Sequence, residues 1–208
     1  MVQKMVNMQK VKNGKHLDFG AGSFRRNPFM LSELYSVDLY TIENVSNSYA
    51  IKRLEPIPFP SSFFDSVSAY DVLEHLSRDC EGVNEFVFYM NELHRVLKPG
   101  GRALFVFPSF PYRDAFSDPT HINYITDSTL DYFLGDNSKG GYAGITTSFS
   151  AISNKRLRVW KKWVNGCLET PQQSEKSVRR RLSLFKREVM RFMKPQHRIW
   201  ILEKLNLS

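Results

Sequence analysis

Five consecutive apolar residues, Ala103-Leu104-Phe105-Val106-Phe107, constrain this chain more than any other feature. A half-buried strand alternates apolar with polar residues, whereas an unbroken apolar run of strand length belongs to a strand covered on both faces. The run therefore predicts a parallel sheet with helices on either side. The preceding residues supply one such helix. Between Gly82 and Leu97, the residues Val83, Phe86, Val87, Met90, Leu93 and Leu97 recur at steps of three and four, which gathers them on one helical face. Lys98 falls in the last turn, where the helix dipole favours a cation, and Pro99-Gly100-Gly101 ends the helix.

Further strands are expected at Lys15 to Phe19, Tyr35 to Tyr40 and Ser66 to Tyr70, with Asn13-Gly14 as a turn before the first. Strands alternating with helices over about 100 residues indicate a doubly wound α/β domain. Pro108 to Asp127, rich in Pro, Ser, Asp and aromatics, reads as a long loop beyond the buried strand, where such folds keep their ligands. Thr129 to Leu134 suggests a short helix, and Gly135 to Gly144 a flexible connection. Leu157, Val159, Trp160 and Trp163 suggest another strand. His197 to Leu205 suggests the last, with Ile199, Ile201 and Leu205 on one side and Trp200 and Leu202 on the other.

A chain of 208 residues, 42% hydrophobic and 24% charged, is a single domain with enough material for a core, and neither disordered nor a coiled coil. Its net charge of +8 is unevenly placed. Residues 155–208 hold 15 Lys and Arg against 4 Asp and Glu, a local balance of +11, while residues 1–154 hold 14 against 17. Within the basic part, Val178, Leu182, Phe185, Val189 and Phe192 give Ser174–Lys194 an amphipathic helical pattern. Its other face carries Arg179, Arg180, Lys186, Arg187 and Arg191. We read this as a basic helical insertion at about 170–196 before the last strand. Its basic face is either simply solvated or attracted to an anionic membrane, a lipid-linked phosphate or RNA.

Cys80 and Cys167 stand far apart and outside any C-x-x-C spacing, so no disulfide framework or zinc site is expected. No early apolar run suits a signal peptide, and no window suits a membrane span. The expectation is a cytoplasmic protein, peripheral to the inner membrane if its basic helix engages lipid.

The chemistry concentrates where the first strand runs into Gly20-Ala21-Gly22. A Gly-x-Gly turn lets backbone approach a nucleotide cofactor closely, but the third glycine of a dinucleotide fingerprint is replaced here by Arg25. Asp38 lies 20 residues after Asp18, at the end of the second strand, where a carboxylate can accept both ribose hydroxyls.

Three later stretches narrow the choice: Ile57-Pro58-Phe59 through Asp65, Tyr70-Asp71-Val72-Leu73-Glu74-His75-Leu76, and Asn91-Glu92-Leu93-His94-Arg95-Val96-Leu97-Lys98-Pro99-Gly100-Gly101. In this order the chain resembles the class I S-adenosylmethionine-dependent methyltransferases. Through Glu55-Pro56-Ile57-Pro58-Phe59 and Asp118-Pro119-Thr120-His121 it resembles a type 11-like bacterial subgroup associated with surface polysaccharide and other biosynthetic clusters. The resemblance implies a Rossmann-like three-layer sandwich whose mostly parallel, seven-stranded sheet ends in an antiparallel strand. It implies S-adenosylmethionine as cofactor. Gly20, Ala21 and Gly22 would lie against its methionine part, Asp38 would hold the ribose, Asp18 would orient the amine, and Tyr70 and Asp71 would line the cleft near the sulfonium. Two positions depart from the family: Phe24 stands where a third glycine is common, and Ala50 to Leu54 lack the acid often found near the adenine.

Methyl transfer from a sulfonium is an in-line displacement on an already activated carbon, so the protein must align the acceptor and remove its proton. The chemistry demands no metal, and none is expected. For a hydroxyl acceptor the base candidates are His121, Asp118, His75 and Glu74. His121 is preferred for its place on the loop and because an unperturbed imidazole suits proton transfer near neutrality. In the structural reading of the same residues, Asp118–His121 orders a loop and Glu74-His75 anchors a helix start. The favoured function is O-methylation of a small molecule or saccharide. A catalytically inactive cofactor-binding scaffold and an RNA methyltransferase are the alternatives, with nucleic acid ranked below a glycan or small-molecule acceptor. The acceptor loops are expected at Phe110–Thr126 and Lys139–Thr147.

Overall fold

The computed structural model describes residues 11–135, 140–158 and 196–206. The sheet has seven strands: β1 (Lys12–Phe19), β2 (Leu31–Asp38), β3 (Ser48–Ala50), β4 (Phe64–Tyr70), β5 (Leu97–Pro108), β6 (Phe149–Arg158) and β7 (Gln196–Lys204). They lie in the order β3-β2-β1-β4-β5-β7-β6. The first five pair in parallel. β7 is antiparallel to both β5 and β6. The predicted mostly parallel α/β sheet with an antiparallel last strand is therefore present.

The apolar run lies at the centre of β5, and Ala103, Leu104, Phe105, Val106 and Phe107 are all at most 3% exposed. Alternation sends Ala103, Phe105 and Phe107 into a large core with Leu17, Val67, Trp200 and Leu202. Leu104 and Val106 go to a smaller core on the opposite face with Tyr70 and Ile199. The expected division of β7, Ile199 and Ile201 against Trp200 and Leu202, is the one observed.

The helix α1 (Glu85–Val96) covers the larger core with Phe86, Tyr89, Met90, Leu93 and Val96. It starts later than its periodicity suggests. Asn84 caps it, its side chain accepting from the Val87 amide at 3.1 Å, so Val83 lies outside and is 42% exposed. It also ends earlier: Leu97 is extended and begins β5, which places Lys98 in a strand, paired with Asp65 at 2.6 Å. Lys204 Nζ instead caps the helix, donating to the carbonyls of His94 and Leu97 at 2.8 Å.

Helices on both sides were expected, but among the described residues the only α-helix besides α1 is the four-residue α2 (Asp114–Ser117), within the predicted Pro108–Asp127 loop. The β1–β2 connection, residues 20–30, has no helix, and its Phe29 packs against the smaller core. The first strand extends back through Asn13-Gly14, where the register slips and Gly14 takes φ +148°. The short helix expected at Thr129–Leu134 is a 3-10 helix at Asp127–Tyr132, entered through a Thr126/Thr129 capping box. No helix among the described residues is long and apolar enough to cross a membrane. Val159, Trp160 and Trp163, Cys167, the basic helix at Ser174–Lys194 and part of the 139–147 loop lie outside the described residues.

Candidate functional site

A cleft opens at the carboxyl ends of β1, β2 and β4, the side of a parallel sheet where such folds bind ligands. Phe19 and Gly20 form its floor, with Asp38, Ile51, Val72 and Tyr89 around them. Gly20 has φ +68°, and a Cβ there would sit 2.6 Å from Val72 Cγ2. Only glycine lets this loop approach so closely. Gly22, at φ +56°, has nothing within 4 Å of where a Cβ would stand, so its backbone is presented bare.

Asp38 ties the two loops together. Its Oδ2 accepts from the Gly22 amide at 2.8 Å, and its Oδ1 from the Leu39 amide at 2.6 Å. Both oxygens retain a further lone pair for a ligand. The strand predicted to reach Tyr40 stops here, leaving Leu39 and Tyr40 exposed.

Asp18, Tyr70 and Asp71 do not line this cleft. Asp18 is fully buried beneath the loop, accepting from Ser68 Oγ at 2.7 Å and from the Arg26 amide at 2.7 Å. Burial raises its pKa to about 6 against the pull of these hydrogen bonds. The network continues to His16, whose Nε2 lies 2.9 Å from Ser68 Oγ and whose Nδ1 lies 2.7 Å from Ser66 Oγ. With the Ser68 proton given to Asp18, His16 Nε2 must donate to Ser68, leaving Nδ1 to accept from Ser66. Desolvation lowers the His16 pKa from the ordinary 6.5 to about 3, so the ring is neutral. Tyr70 packs in the smaller core, its ring under the Arg26 guanidinium. Asp71 has φ +52° and faces His197 Nε2 at 3.2 Å.

Beside the cleft, a 3-10 turn at Leu73–His75 meets the loop after β5. The Glu74 carbonyl accepts from the amides of Ile122 and Asn123 at 2.9 and 3.0 Å. Asn123 Nδ2 returns to the carbonyls of Leu73 and Leu76 at 3.0 and 2.6 Å. This stitching brings His121 Nε2 within 3.9 Å of Glu74 Oε1 and sets its ring edge-on to His75, centroids 4.6 Å apart. Glu74 is 1% exposed, and its carboxylate has no hydrogen-bond partner beyond its own amide. Desolvation by burial pushes its pKa up to about 8. His75 lines the cleft itself, so the cluster borders the cleft directly.

The sequence nominated Gly20, Gly22 and Asp38, which the fold brings together, and His121, Glu74, His75 and Asp118, which form a second group beside them; Ala21 is buried in the loop. It did not nominate Ile51, Arg53, Glu85 or Tyr89, all of which line the cleft. Glu85, 3% exposed, accepts from the Ser77 amide at 2.8 Å and faces Arg53 at 3.8 Å. It places an acid in the cleft wall of a chain that has none between Ala50 and Leu54. Its periodic place at a helix start gave no sign of this role.

Residues 17–105 match the methyltransferase domain family. A search of the curated proteins finds no match. Among solved structures, the chain is similar to the YcgJ protein from Bacillus subtilis, at 17% identity over 95% of this chain and 94% of that one, TM-score 0.54. It is also similar to an S-adenosylmethionine-dependent methyltransferase from Archaeoglobus fulgidus, at 16% identity over 91% and 86%, TM-score 0.54. A third, from Mesorhizobium loti, is an S-adenosylmethionine-dependent methyltransferase at 11% identity over 95% and 94%, TM-score 0.55. These likenesses show the same fold, and the domain match falls on the strands that build the cleft. The chain thus carries a methyltransferase-domain match over residues 17–105 and shares the fold of these solved structures.

Proposed function

We propose that this protein transfers the methyl group of S-adenosylmethionine to a hydroxyl oxygen of a small molecule or saccharide. The observation that carries the reading is the Glu74–His75–His121 cluster at the border of the cleft, which gathers proton-accepting groups where an acceptor can meet the cofactor. The cleft suits the cofactor. Bare backbone at Gly22 leaves room for the methionine part, Asp38 keeps lone pairs for the ribose hydroxyls, and Ile51, Leu39 and Tyr89 offer apolar walls to the adenine. Asp18 acts from beneath, fixing the loop through the Arg26 amide.

When bound, the cofactor supplies an activated methyl carbon. The chain's own residues orient the acceptor oxygen and take its proton as the oxygen–carbon bond forms and the sulfur–carbon bond breaks. The Asp118–His121 loop meets the cleft-lining His75 through Thr120 and His121, and we take this as the acceptor side.

Incubation with methyl-labelled cofactor and fractions of a cell extract tests the reading. Label entering the small-molecule or polysaccharide fraction, and lost with His121→Ala, supports it. Label in RNA would favour the nucleic-acid alternative, and no protein-dependent label in any fraction would favour the inactive scaffold.

A further inference from the structure

We propose that Glu74, His75 and His121 form a binding site for a first-row divalent transition-metal ion at the acceptor side of the cleft. One ligand atom from each lies within 4.8 Å of the others. Ligand atoms on opposite sides of one such ion are about 4 Å apart, given bond lengths near 2.1 Å. The 3.9 Å between His121 Nε2 and Glu74 Oε1 is too long for a hydrogen bond and matches that spacing.

The second observation is the state of the buried groups. Glu74 is 1% exposed and aimed into the cluster, yet its carboxylate is unpartnered apart from its own amide. A carboxyl buried without partners keeps its proton rather than ionise, and a metal cation that replaces the proton is the partner that lets it ionise there. His121, with a side chain 9% exposed, stands over it with Nδ1 likewise unpartnered.

His75 is prepared for ligation by its neighbours. Thr120 Oγ1 donates its single proton to Asp118 Oδ1 at 2.6 Å, and it also lies 2.9 Å from His75 Nδ1. With that proton committed, His75 Nδ1 must be the donor to Thr120, which leaves the lone pair on Nε2. A carboxylate–hydroxyl–imidazole chain of this kind fixes the tautomer and orientation of a metal-binding histidine. Two imidazoles and one carboxylate suit manganese, iron, cobalt or zinc better than magnesium, and three protein ligands leave positions open. An open position beside the cleft would take the acceptor hydroxyl and lower its pKa, so that its proton passes to solvent and, with metal bound, the three side chains act as ligands in place of a direct base. The oxygen would then attack the methyl carbon while the sulfur–carbon pair returns to sulfur.

This catalytic part rests on the proposed O-methylation, but metal binding is measurable without cofactor or acceptor. Titration of the metal-free protein with Mn²⁺ by calorimetry, checked by electron paramagnetic resonance, should show one site, with Mg²⁺ binding more weakly. Glu74→Gln keeps the side-chain shape and should abolish that site. Thr120→Val leaves all three ligands in place and should weaken binding by about 10- to 100-fold through the His75 tautomer. Loss of binding in Glu74→Gln and weakened binding in Thr120→Val, with circular dichroism and cofactor binding unchanged, would support the site. No stoichiometric Mn²⁺ binding by the unmodified protein, or equal binding by all three proteins, would overturn it. Full methyl transfer in metal-free protein would overturn the metal's catalytic part alone and leave the proposed O-methylation standing.

Discussion

His16 and Asp18 occupy successive positions on one face of β1, both fully buried, and share Ser68. Their pKa values move in opposite senses, and so do their contributions to stability. Protonation of His16 is resisted in the folded state, about 3 against 6.5, so below 6.5 the unfolded chain binds the extra proton and stability from this group is lost as pH falls. Asp18, raised to about 6, binds a proton more readily when folded and contributes the opposite trend between 3.8 and 6. The stability advantage of the unmodified protein over His16→Asn should therefore shrink as pH drops from 6.5 towards 4.5, read by urea denaturation. An advantage unchanged with pH would contradict the neutral, buried imidazole. None of this network was legible in the sequence. His16, Ser66 and Ser68 read as ordinary alternation in short strands, and only the register of β1 on β4, which pairs His16 with Ser66 and Asp18 with Ser68, puts them together.

At the scale of elements, the family-like motifs prove to be joints between distant segments. Arg95 in α1 pairs with Glu92 and donates to the carbonyls of Phe59 at 2.8 Å and Ile57 at 2.9 Å. Glu92 in turn accepts from the Ile57 amide at 2.8 Å. The Ile57-Pro58-Phe59 turn and the Glu92–Arg95 helix segment thus recur as one interlocked unit, which fixes the wall before β4. Arg95→Ala leaves these acceptors unsatisfied, and chemical denaturation should show a loss of roughly 1–3 kcal/mol, consistent with hydrogen bonds to a partly exposed charge. A loss below about 0.5 kcal/mol would show that the turn holds itself. The strand and helix cores were legible here because burial follows periodicity in Ala103–Phe107 and in α1. The ends were not. Asn84 set the start of α1 in place of the apolar pattern, and Leu97 passed straight from helix to strand. The expected second layer of helices was not legible either, because an 11-residue connection between β1 and β2, residues 20–30, is too short for a helix with its turns.

Across the whole molecule, the parallel strands aim their carboxyl ends at one rim. On one side Gly20 and Asp38 line the cleft, with the Gly22 amide donating to Asp38, and on the other the 3-10 turn and the Asp118–His121 loop set the buried Glu74 against two histidines. The second group was legible only as a choice among Glu74, His75, Asp118 and His121, since the first two lie on one local motif and the last two on another. Contact across 47 residues of sequence turns that choice into one cluster of Glu74 and His121. Calorimetric titration with S-adenosylmethionine tests the central claim most directly. The unmodified protein should bind one equivalent, and Asp38→Ala, which removes the ribose acceptor and releases the Gly22 amide, should lose about 1.5–3 kcal/mol, roughly 10- to 150-fold in affinity. Absence of binding by the unmodified protein, or equal affinity in the variant, would contradict the account.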